Sequence, residues 1–286
     1  MTLAWGRDMS LQVAPPLPTG YKAATQQAFI IDALRVVFKV KRTLKKEPNH
    51  SKITITNLAQ TTRAQFSPGK DARVWLSAGY VGAMGEIFQG DVTFAQSSME
   101  GAVDSILELE LGDGARAYKH ARMTESFAPG TTRGDILRRL VAKCGLDPGN
   151  ASDYYTSLTG QAVNGYSVDA PVQHSLTEVL LAEHLTWSVQ AGAIQILPTK
   201  GFIARPAILL TPDSGLIDSP KWGSPEKKGG KRTLKFKSLL QAQLVPGGRV
   251  KLESEDAKGV FILQEVEHSG DTDGKDWFSE CEAVPA

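Results

Sequence analysis

The chain has 286 residues, enough for one large domain or for two or three small ones, each with a buried core. A hydrophobic content of 41% and a net charge of +1 are ordinary for a globular protein and give no overall reason to expect a nucleic-acid partner. No apolar stretch approaches the roughly 18 residues of a membrane span, which argues against a helical membrane protein.

The N-terminal sequence MTLAWGRDMSLQVAPPLPTG lacks the apolar run of a signal peptide. Its APPLP sequence favours an extended backbone that takes no part in a core. We therefore expect residues 1–25 to form an extended arm, either as a disordered tail or as a strap that docks on a neighbouring subunit.

Residues 26–128 have the pattern of β-strands. β-Branched and aromatic residues recur in short runs separated by glycine, proline and serine, and several short strands at this spacing are typical of a closed or sandwiched antiparallel sheet. We predict a β-barrel domain over this range, with strands within FIIDALRVVFKVKRTL, ITITN, RVWLSAGY, GEIFQGDVTFA and DSILELELGDG.

Residues 129–200 change character and predict a small α/β domain. TTRGDILRRLVAKCG predicts a helix with Thr132 as its N-cap and Gly145 at its end. SLTEVLLAEHL predicts a second helix that begins with a capping box of Ser175 and Glu178. TWSVQAGAIQIL predicts a hairpin that turns at Ala191-Gly192.

Residues 201–286 return to strands and predict a second β-barrel domain. Strands are expected within RTLKFKSLL, GRVKLES, GVFILQEVEH and DWFSECEA, after a long polar loop in SPKWGSPEKKGGKR. The predicted fold class is thus mainly β (α+β): two tube-like antiparallel barrels with a small α/β domain between them in sequence.

The two β regions are similar to each other, which predicts an internal duplication. ITITN and LKFKS both begin a pattern of strand, link, Pro-Gly and Val-x-Leu, and GEIFQGDVTFAQ and DSILELE have counterparts in GVFILQEVEHSG and DWFSECE. Chance similarity between two β regions is the alternative. The offsets fall gently along the chain, from 178 at Gly69/Gly247 to 176 at Val74/Val250, 174 at Gly85/Gly259 and 172 at Asp104/Asp276.

The sequence predicts no catalytic, cofactor-binding or metal-binding residues. The five histidines form neither the H-E-x-x-H spacing of a metalloprotease nor a Cys/His cluster, and no G-x-S-x-G motif is present. Cys144 and Cys281 stand in different contexts, which argues against a disulfide and indicates synthesis in a reducing cytosol. Glu100 and Asp104 are close in sequence, but two carboxylates in one loop do not define a glycosidase.

A basic stretch, FKVKRTLKKEPNHSK, leaves three interpretations open: a solvated hairpin, a charged finger that contacts an acidic neighbour, or a DNA-binding segment. Lysines that line a DNA conduit would trap passing phosphates. If the protein surrounds such a conduit, we expect this finger to point away from the lumen.

The stretch GDTDGKDWFSECEA places Asp271, Asp273 and Asp276 near Glu282, a spacing similar to that of a calcium loop. An EF-hand loop needs an oxygen ligand at position five and glycine at position six, where this chain has Lys275 and Asp276. We therefore predict a hairpin turn over SGDTDGKD, in which aspartate and glycine supply the turn geometry.

The segments NLAQTTRAQF, GKDARVWLSAGY, ESFAPGTTRGDILRRLVAKCGL, SLLQAQLVPGGRVKLES and GVFILQEVEHSGDTDGKDWFSECEA resemble the baseplate hub proteins of contractile-tailed bacteriophages. The resemblance covers nearly the whole chain from Ile30 and keeps the order of elements. Its motifs are strand-and-turn signatures rather than chemical ones. Some larger hub proteins carry an additional C-terminal domain.

This resemblance implies a homotrimeric ring of tube-like barrels in the tail baseplate of the virion, made in the host cytoplasm. Such a hub would adapt the hexameric tail tube to the trimeric central spike and contact other baseplate proteins, without an enzymatic activity, a cofactor, specific nucleic-acid binding or a membrane span. The alternatives are a tail-tip adaptor of a non-contractile tail or related injection machine, a peptidoglycan hydrolase and a carbohydrate-binding β module.

Overall fold

The structure is a computed structural model that describes residues 6–14, 28–66, 72–101, 103–223 and 232–286. Strands dominate the described residues, which confirms the mainly β fold class. The chain divides into two compact units. The first holds residues up to 44, 50–112 and 202–286, and the second holds 45–49 and 113–201.

The first unit begins with seven strands and one short helix, which we call the N-terminal half. Their antiparallel order in the sheet is β3-β4-β7-β6-β5-β1-β2. The elements are β1 (Arg7–Ala14), β2 (Phe29–Ile31), β3 (Val36–Thr43), β4 (His50–Thr56), α1 (Gln60–Arg63), β5 (Arg73–Tyr80), β6 (Gly85–Glu100) and β7 (Asp104–Gly112).

Alternation of side chains along these strands builds the core of the N-terminal half. In β4, Ile53 and Ile55 are fully buried, while Lys52 on the opposite face is exposed. β7 repeats this pattern with the buried residues Leu107 and Leu109. A period of two places one face of each strand in the core and leaves the other polar, as the sequence predicted.

The predicted N-terminal arm is wrong for Arg7–Ala14. This segment is β1, which pairs with β5 along all of its eight residues, and Met9, Leu11 and Val13 are buried in the core. The APPLP sequence suggested an arm, but the alternating apolar residues of RDMSLQVA favour a strand that buries one face. The remaining residues of the predicted arm lie outside the described residues, apart from Gly6.

The described residues of the second unit contain four strands in two antiparallel pairs and four α-helices. The strands pair as β8 with β9 and β10 with β11. The elements are α2 (Ala115–His120), β8 (Arg122–Phe127), α3 (Arg133–Cys144), α4 (Tyr154–Ser157), β9 (Tyr166–Pro171), α5 (Val172–Leu181), β10 (Leu185–Gln190) and β11 (Ala193–Pro198), with a 3₁₀ helix at Gly149–Asp153.

Two local predictions for this unit are confirmed. The Thr132 hydroxyl accepts a hydrogen bond from the Asp135 backbone N–H at the start of α3, and Gly145 ends the helix with φ 69°. The β10–β11 hairpin turns at Ala191 and Gly192, both with positive φ. Both turn N–H groups donate to the Asp113 carboxylate at 2.8 Å, which fixes the turn.

The predicted capping box of the second helix is wrong. Helix α5 begins at Val172, directly after Pro171, and has no side-chain cap. Ser175 therefore lies inside the helix, where it is buried. Pro171 stands at the N-cap with ψ 133°, and the Val172 N–H donates to the Ala121 carbonyl at 2.9 Å, so the chain enters the helix directly from β9.

The first unit is completed by six strands near the end of the chain, which we call the C-terminal half. They are β12 (Ile208–Leu210), β13 (Leu216–Trp222), β14 (Leu234–Leu239), β15 (Arg249–Glu253), β16 (Lys258–Asp271) and β17 (Trp277–Pro285). The predicted polar loop is partly wrong, because Ser219–Trp222 belong to β13, and residues 224–231 of it lie outside the described residues. All the strands of both halves belong to one continuous sheet.

The two halves share a strand order. In the N-terminal half the antiparallel order is β4-β7-β6-β5, and in the C-terminal half it is β14-β17-β16-β15. β6 and β16 also share a bulge: Thr93 is an extra residue opposite Leu111 and Glu110, and Gln264 is an extra residue opposite Ala283 and Glu282. The halves differ at their margins, where β1 is antiparallel to β5 but β12 is parallel to β15.

We predict that Leu11→Ala lowers the free energy of unfolding by about 2–5 kcal/mol, because it opens a cavity in the core of the N-terminal half. Gln12→Ala is the matched control, since the neighbouring side chain is exposed on the same strand. Urea unfolding of both variants measures the difference. Equal stabilities would mean that β1 does not contribute to the core.

Candidate functional surface at the seam between the two β halves

The two halves of the first unit join along β16. One edge of this strand pairs with β17. The other edge pairs with β15 through Lys258–Ile262 and then with β3 through Glu265–Asp271. We call the β3–β16 pairing the seam, because it connects strands that are far apart in the sequence.

The acidic run forms the turn at the end of the seam. Asp271 accepts two hydrogen bonds from the Arg35 guanidinium, from Nε at 3.1 Å and from Nη2 at 2.8 Å, and one from the backbone N–H of Asp273 at 3.0 Å. The hydrogen bond from Arg35 is the main cause that lowers the pKa of Asp271. The predicted hairpin turn is confirmed, and its first carboxylate is committed to an arginine across the seam.

Strands β1 and β5 are tied to the same turn. The Arg7 guanidinium donates to the carbonyl oxygens of Asp271, Gly274 and Lys275. Trp277 donates from Nε1 to the Gly79 carbonyl at 2.9 Å. A side chain of the N-terminal half thus donates to backbone carbonyls of the C-terminal half, and a side chain of the C-terminal half donates to a backbone carbonyl of the N-terminal half.

The interior of the seam contains a fully buried histidine, His268, opposite Val40 of β3 and Ser279 of β17. The Ser279 hydroxyl accepts from the Gln241 backbone N–H at 3.3 Å and lies 2.8 Å from Nδ1 of His268. This arrangement suits a neutral ring whose Nδ1 accepts the serine proton. Nε2 has no hydrogen-bond partner of good geometry among the described residues.

The surroundings of His268 oppose its protonation. Burial is the main cause that lowers its pKa from 6.5 to about 3, and the positive charge of Arg42 on β3 lowers it further, while the Leu244 carbonyl acts in the opposite direction. Cys281, the other titratable residue on this side of β17, is buried, and burial raises the pKa of its thiol. The seam is therefore built around a neutral imidazole.

The opposite face of the seam carries a set of ion pairs that we call the charged ladder: Lys39, Lys41, Glu265, Glu267, Glu280, Glu282, Lys235 and Lys237. On one side, Lys39 lies 2.9 Å from Glu267 and Lys41 lies 2.6 Å from Glu265. On the other side, Lys235 lies 3.2 Å from Glu282 and Lys237 lies 3.6 Å from Glu280.

The charges of the ladder follow the strand order β14-β17-β16-β3. Two columns of glutamate occupy the central strands, with Glu267 opposite Glu280 and Glu265 opposite Glu282. Like charges at opposite positions repel, and the outer lysine columns offset this repulsion. The hydrogen bond with Glu267 and its charge raise the pKa of Lys39. The eight charges balance, four against four.

These contacts show what the strand lysines of the basic stretch FKVKRTLKKEPNHSK bind. Its segments form β3, a turn and β4, and its strand lysines contact glutamates of the same chain, including Lys52 with Glu108 at 3.0 Å. The acidic neighbour is thus intramolecular for Lys39, Lys41 and Lys52. The orientation of the finger relative to a lumen stays a prediction.

The histidines and cysteines, which we examined as possible catalytic or metal-binding residues, lie apart from one another or are buried. His50, His120 and His174 are exposed, whereas His268 is buried. Burial raises the pKa of Cys144 to about 12, which makes its thiol a poor nucleophile. Within the described ranges no group of histidine, cysteine, aspartate and glutamate side chains could hold a metal ion, and no helix there is long and apolar enough to cross a membrane.

The charged ladder was not predicted from the sequence. Its signal is the alternation of like charges in KVK, LKFK, QEVE and ECEA, which places each pair on one face of a strand. Which columns become neighbours depends on strand order, and sequence spacing does not reveal this order.

Comparison with known structures identifies the fold over nearly the full chain. The structure is similar to a tail protein from Neisseria meningitidis, with a TM-score of 0.61, 11% identity and coverage of 98% of this chain and 97% of that one. It is also similar to the 43 kDa tail protein of prophage MuSo2 from Shewanella oneidensis, with a TM-score of 0.62, 9% identity and 98% coverage of both chains.

A third similar structure is an E. coli component of the type VI secretion system, described as structurally similar to the T4 bacteriophage tail proteins gp27 and gp5. Its TM-score is 0.58 at 11% identity, over 88% of this chain and 73% of that one. No protein-family model and no curated protein matches the sequence. The expected resemblance to phage tail proteins is confirmed at the level of the fold.

We predict that the free energy of unfolding falls as the pH drops from about 6.5 towards 3, because the unfolded chain binds a proton at His268 that the folded seam rejects. In His268→Gln this loss should shrink by up to roughly 1.4 kcal/mol per pH unit. Urea unfolding between pH 7 and pH 4 measures both slopes.

His174→Gln serves as the control, since this histidine is exposed on α5 in the second unit. Its slope should equal that of the unsubstituted protein. An unchanged slope in His268→Gln would show that the seam tolerates a charged imidazole.

Proposed function

We propose that this chain is a structural component of a phage tail baseplate, a homotrimeric hub ring that adapts a hexameric tail tube to a trimeric central spike. The observation that carries the proposal is a repeated strand order with a repeated bulge, within a fold that is similar to tail proteins over nearly its whole length. The hub has no reaction of its own and contacts other baseplate proteins in the virion.

The two β halves of the first unit derive from an internal duplication. The bulges at Thr93 and Gln264 lie 171 residues apart, and the glutamates opposite them, Glu110 and Glu282, lie 172 apart. Bulges persist as designed features of a fold, so a shared bulge supports common origin better than alternating strands do. These registers revise the alignment of Gly85 with Gly259, which would require an offset of 174.

Duplication supplies the geometry of an adaptor. Three copies of a chain with two similar halves present six similar units around one axis, which matches a sixfold partner on one face and a threefold partner on the other. In this proposal the two β halves of the first unit form barrels in the ring, while the second unit, with residues 113–128 in it, forms the separate α/β domain. Apolar contacts and ring closure stabilise the assembly.

A second candidate is a tail-tip adaptor of a non-contractile tail or of a related injection machine. The similarity to a type VI secretion component favours this candidate, because the same fold occurs in a machine that is not a phage. A peptidoglycan hydrolase finds less support, since burial raises the pKa of both thiols and the Ser279–His268 pair is enclosed in the core, out of reach of a substrate. Zymography on bacterial cell walls distinguishes the hydrolase from both adaptors.

We predict that the purified protein assembles to three times its chain mass of 30.9 kDa, alone at high concentration or when co-expressed with its spike. Light scattering coupled to size exclusion measures the mass. A strict monomer under both conditions would contradict the ring. A stable hexamer of this chain would contradict the adaptor, because duplication would then be unnecessary for sixfold symmetry.

A further inference from the structure

The charged ladder holds four lysines that would form a polyanion-binding surface without their glutamates. Lys39 and Lys41 form one column on β3, and Lys235 and Lys237 form another on β14, about 14 Å away across three inter-strand spacings. All four side chains are partly exposed, between 30% and 64%. Lysines in such columns neutralise phosphates and release counterions.

Each of these lysines instead contacts a carboxylate of the same face. The glutamates lie between the two lysine columns, so an approaching phosphate meets two acidic strands between the basic ones. Exposed ion pairs contribute only about 0–1 kcal/mol each to stability. The ladder thus adds little to the stability of the fold. We therefore look for its role in the charge that it gives to this surface.

We infer that Glu265, Glu267, Glu280 and Glu282 keep this sheet face from binding nucleic acid. We call these carboxylates charge guards. They neutralise the positive charge of the lysine columns locally, so that DNA can pass this face without binding to it. The inference deepens the proposed function and rests on it for its biological meaning.

The N-terminal half repeats the acidic column of β17 but not that of β16. Glu108 and Glu110 of β7 lie opposite Thr54 and Lys52 of β4, and they occupy the positions that Glu280 and Glu282 occupy opposite β14. Lys52 contacts Glu108. The β6 residues opposite these glutamates are Gln96 and Phe94, where β16 has Glu267 and Glu265. The second acidic column thus occurs on the face that carries two lysine columns.

The test compares two charge-matched variants of the full chain. The guard variant carries E265Q, E267Q, E280Q and E282Q. The control variant carries D153N, D213N, E255Q and D256N, which remove four acidic charges from exposed positions away from the ladder. Both variants raise the formal net charge from +1 by four, so any difference between them reports the location of the charges.

Fluorescence anisotropy with a labelled duplex of about 20 base pairs is the readout at low salt. We expect at least tenfold tighter binding by the guard variant than by the unsubstituted protein or the control. If all four lysines contact phosphates, the affinity should fall roughly a hundredfold between 50 and 200 mM salt. Adding K39Q, K41Q, K235Q and K237Q to the guard variant should abolish the binding.

Three results would overturn the inference: no binding by a folded guard variant, or binding as tight as that of the guard variant by either the control variant or the unsubstituted protein. Circular dichroism checks folding. If the guard variant is unfolded, the double variant E265Q/E267Q frees only Lys39 and Lys41 and answers the same question. A failure of trimerisation leaves these measurements unaffected, since they use the isolated chain.

Discussion

One edge of strand β16 hydrogen-bonds to two different strands, and the continuity of the sheet in the first unit depends on this double pairing. Its first residues hydrogen-bond to β15 and its last ones to β3, while β17 pairs with the opposite edge from Phe261 to Gly270. A buried strand must satisfy its backbone groups on both edges. Because β16 is long enough to do so twice, two sets of strands form one continuous sheet instead of two sheets with exposed edges.

The features of the seam follow from this pairing and from the pleat of the sheet. Successive residues of β16 point to opposite faces, so His268 enters the core while Glu265 and Glu267 lie on the ladder. The neutral imidazole therefore lies on one face of β16, and the balanced surface charges lie on the other. A slip of one residue in the register would bury carboxylates and expose the histidine, at a large cost in free energy.

Helix caps and turns were predictable from the sequence. Features that depend on which strands pair with each other were not. The cap at Thr132, the turn at Ala191-Gly192 and the closing hairpin depend on neighbours within a few residues, so their patterns identified them. The burial of β1 was missed because proline-rich residues follow it, although Met9, Leu11 and Val13 alternate as in a core strand. The charged ladder and the burial of His268 depend on strand order and register, which sequence spacing alone does not determine.

The hydrogen bonds of Arg7 also bear on how the chain folds during synthesis. Their acceptors lie 264 to 268 residues further along, in the turn between β16 and β17. The first strand therefore remains without these bonds until that turn has been synthesised, and contacts of such high sequence separation slow folding. Until then, a growing chain lacks the acceptors that hold its first strand in place.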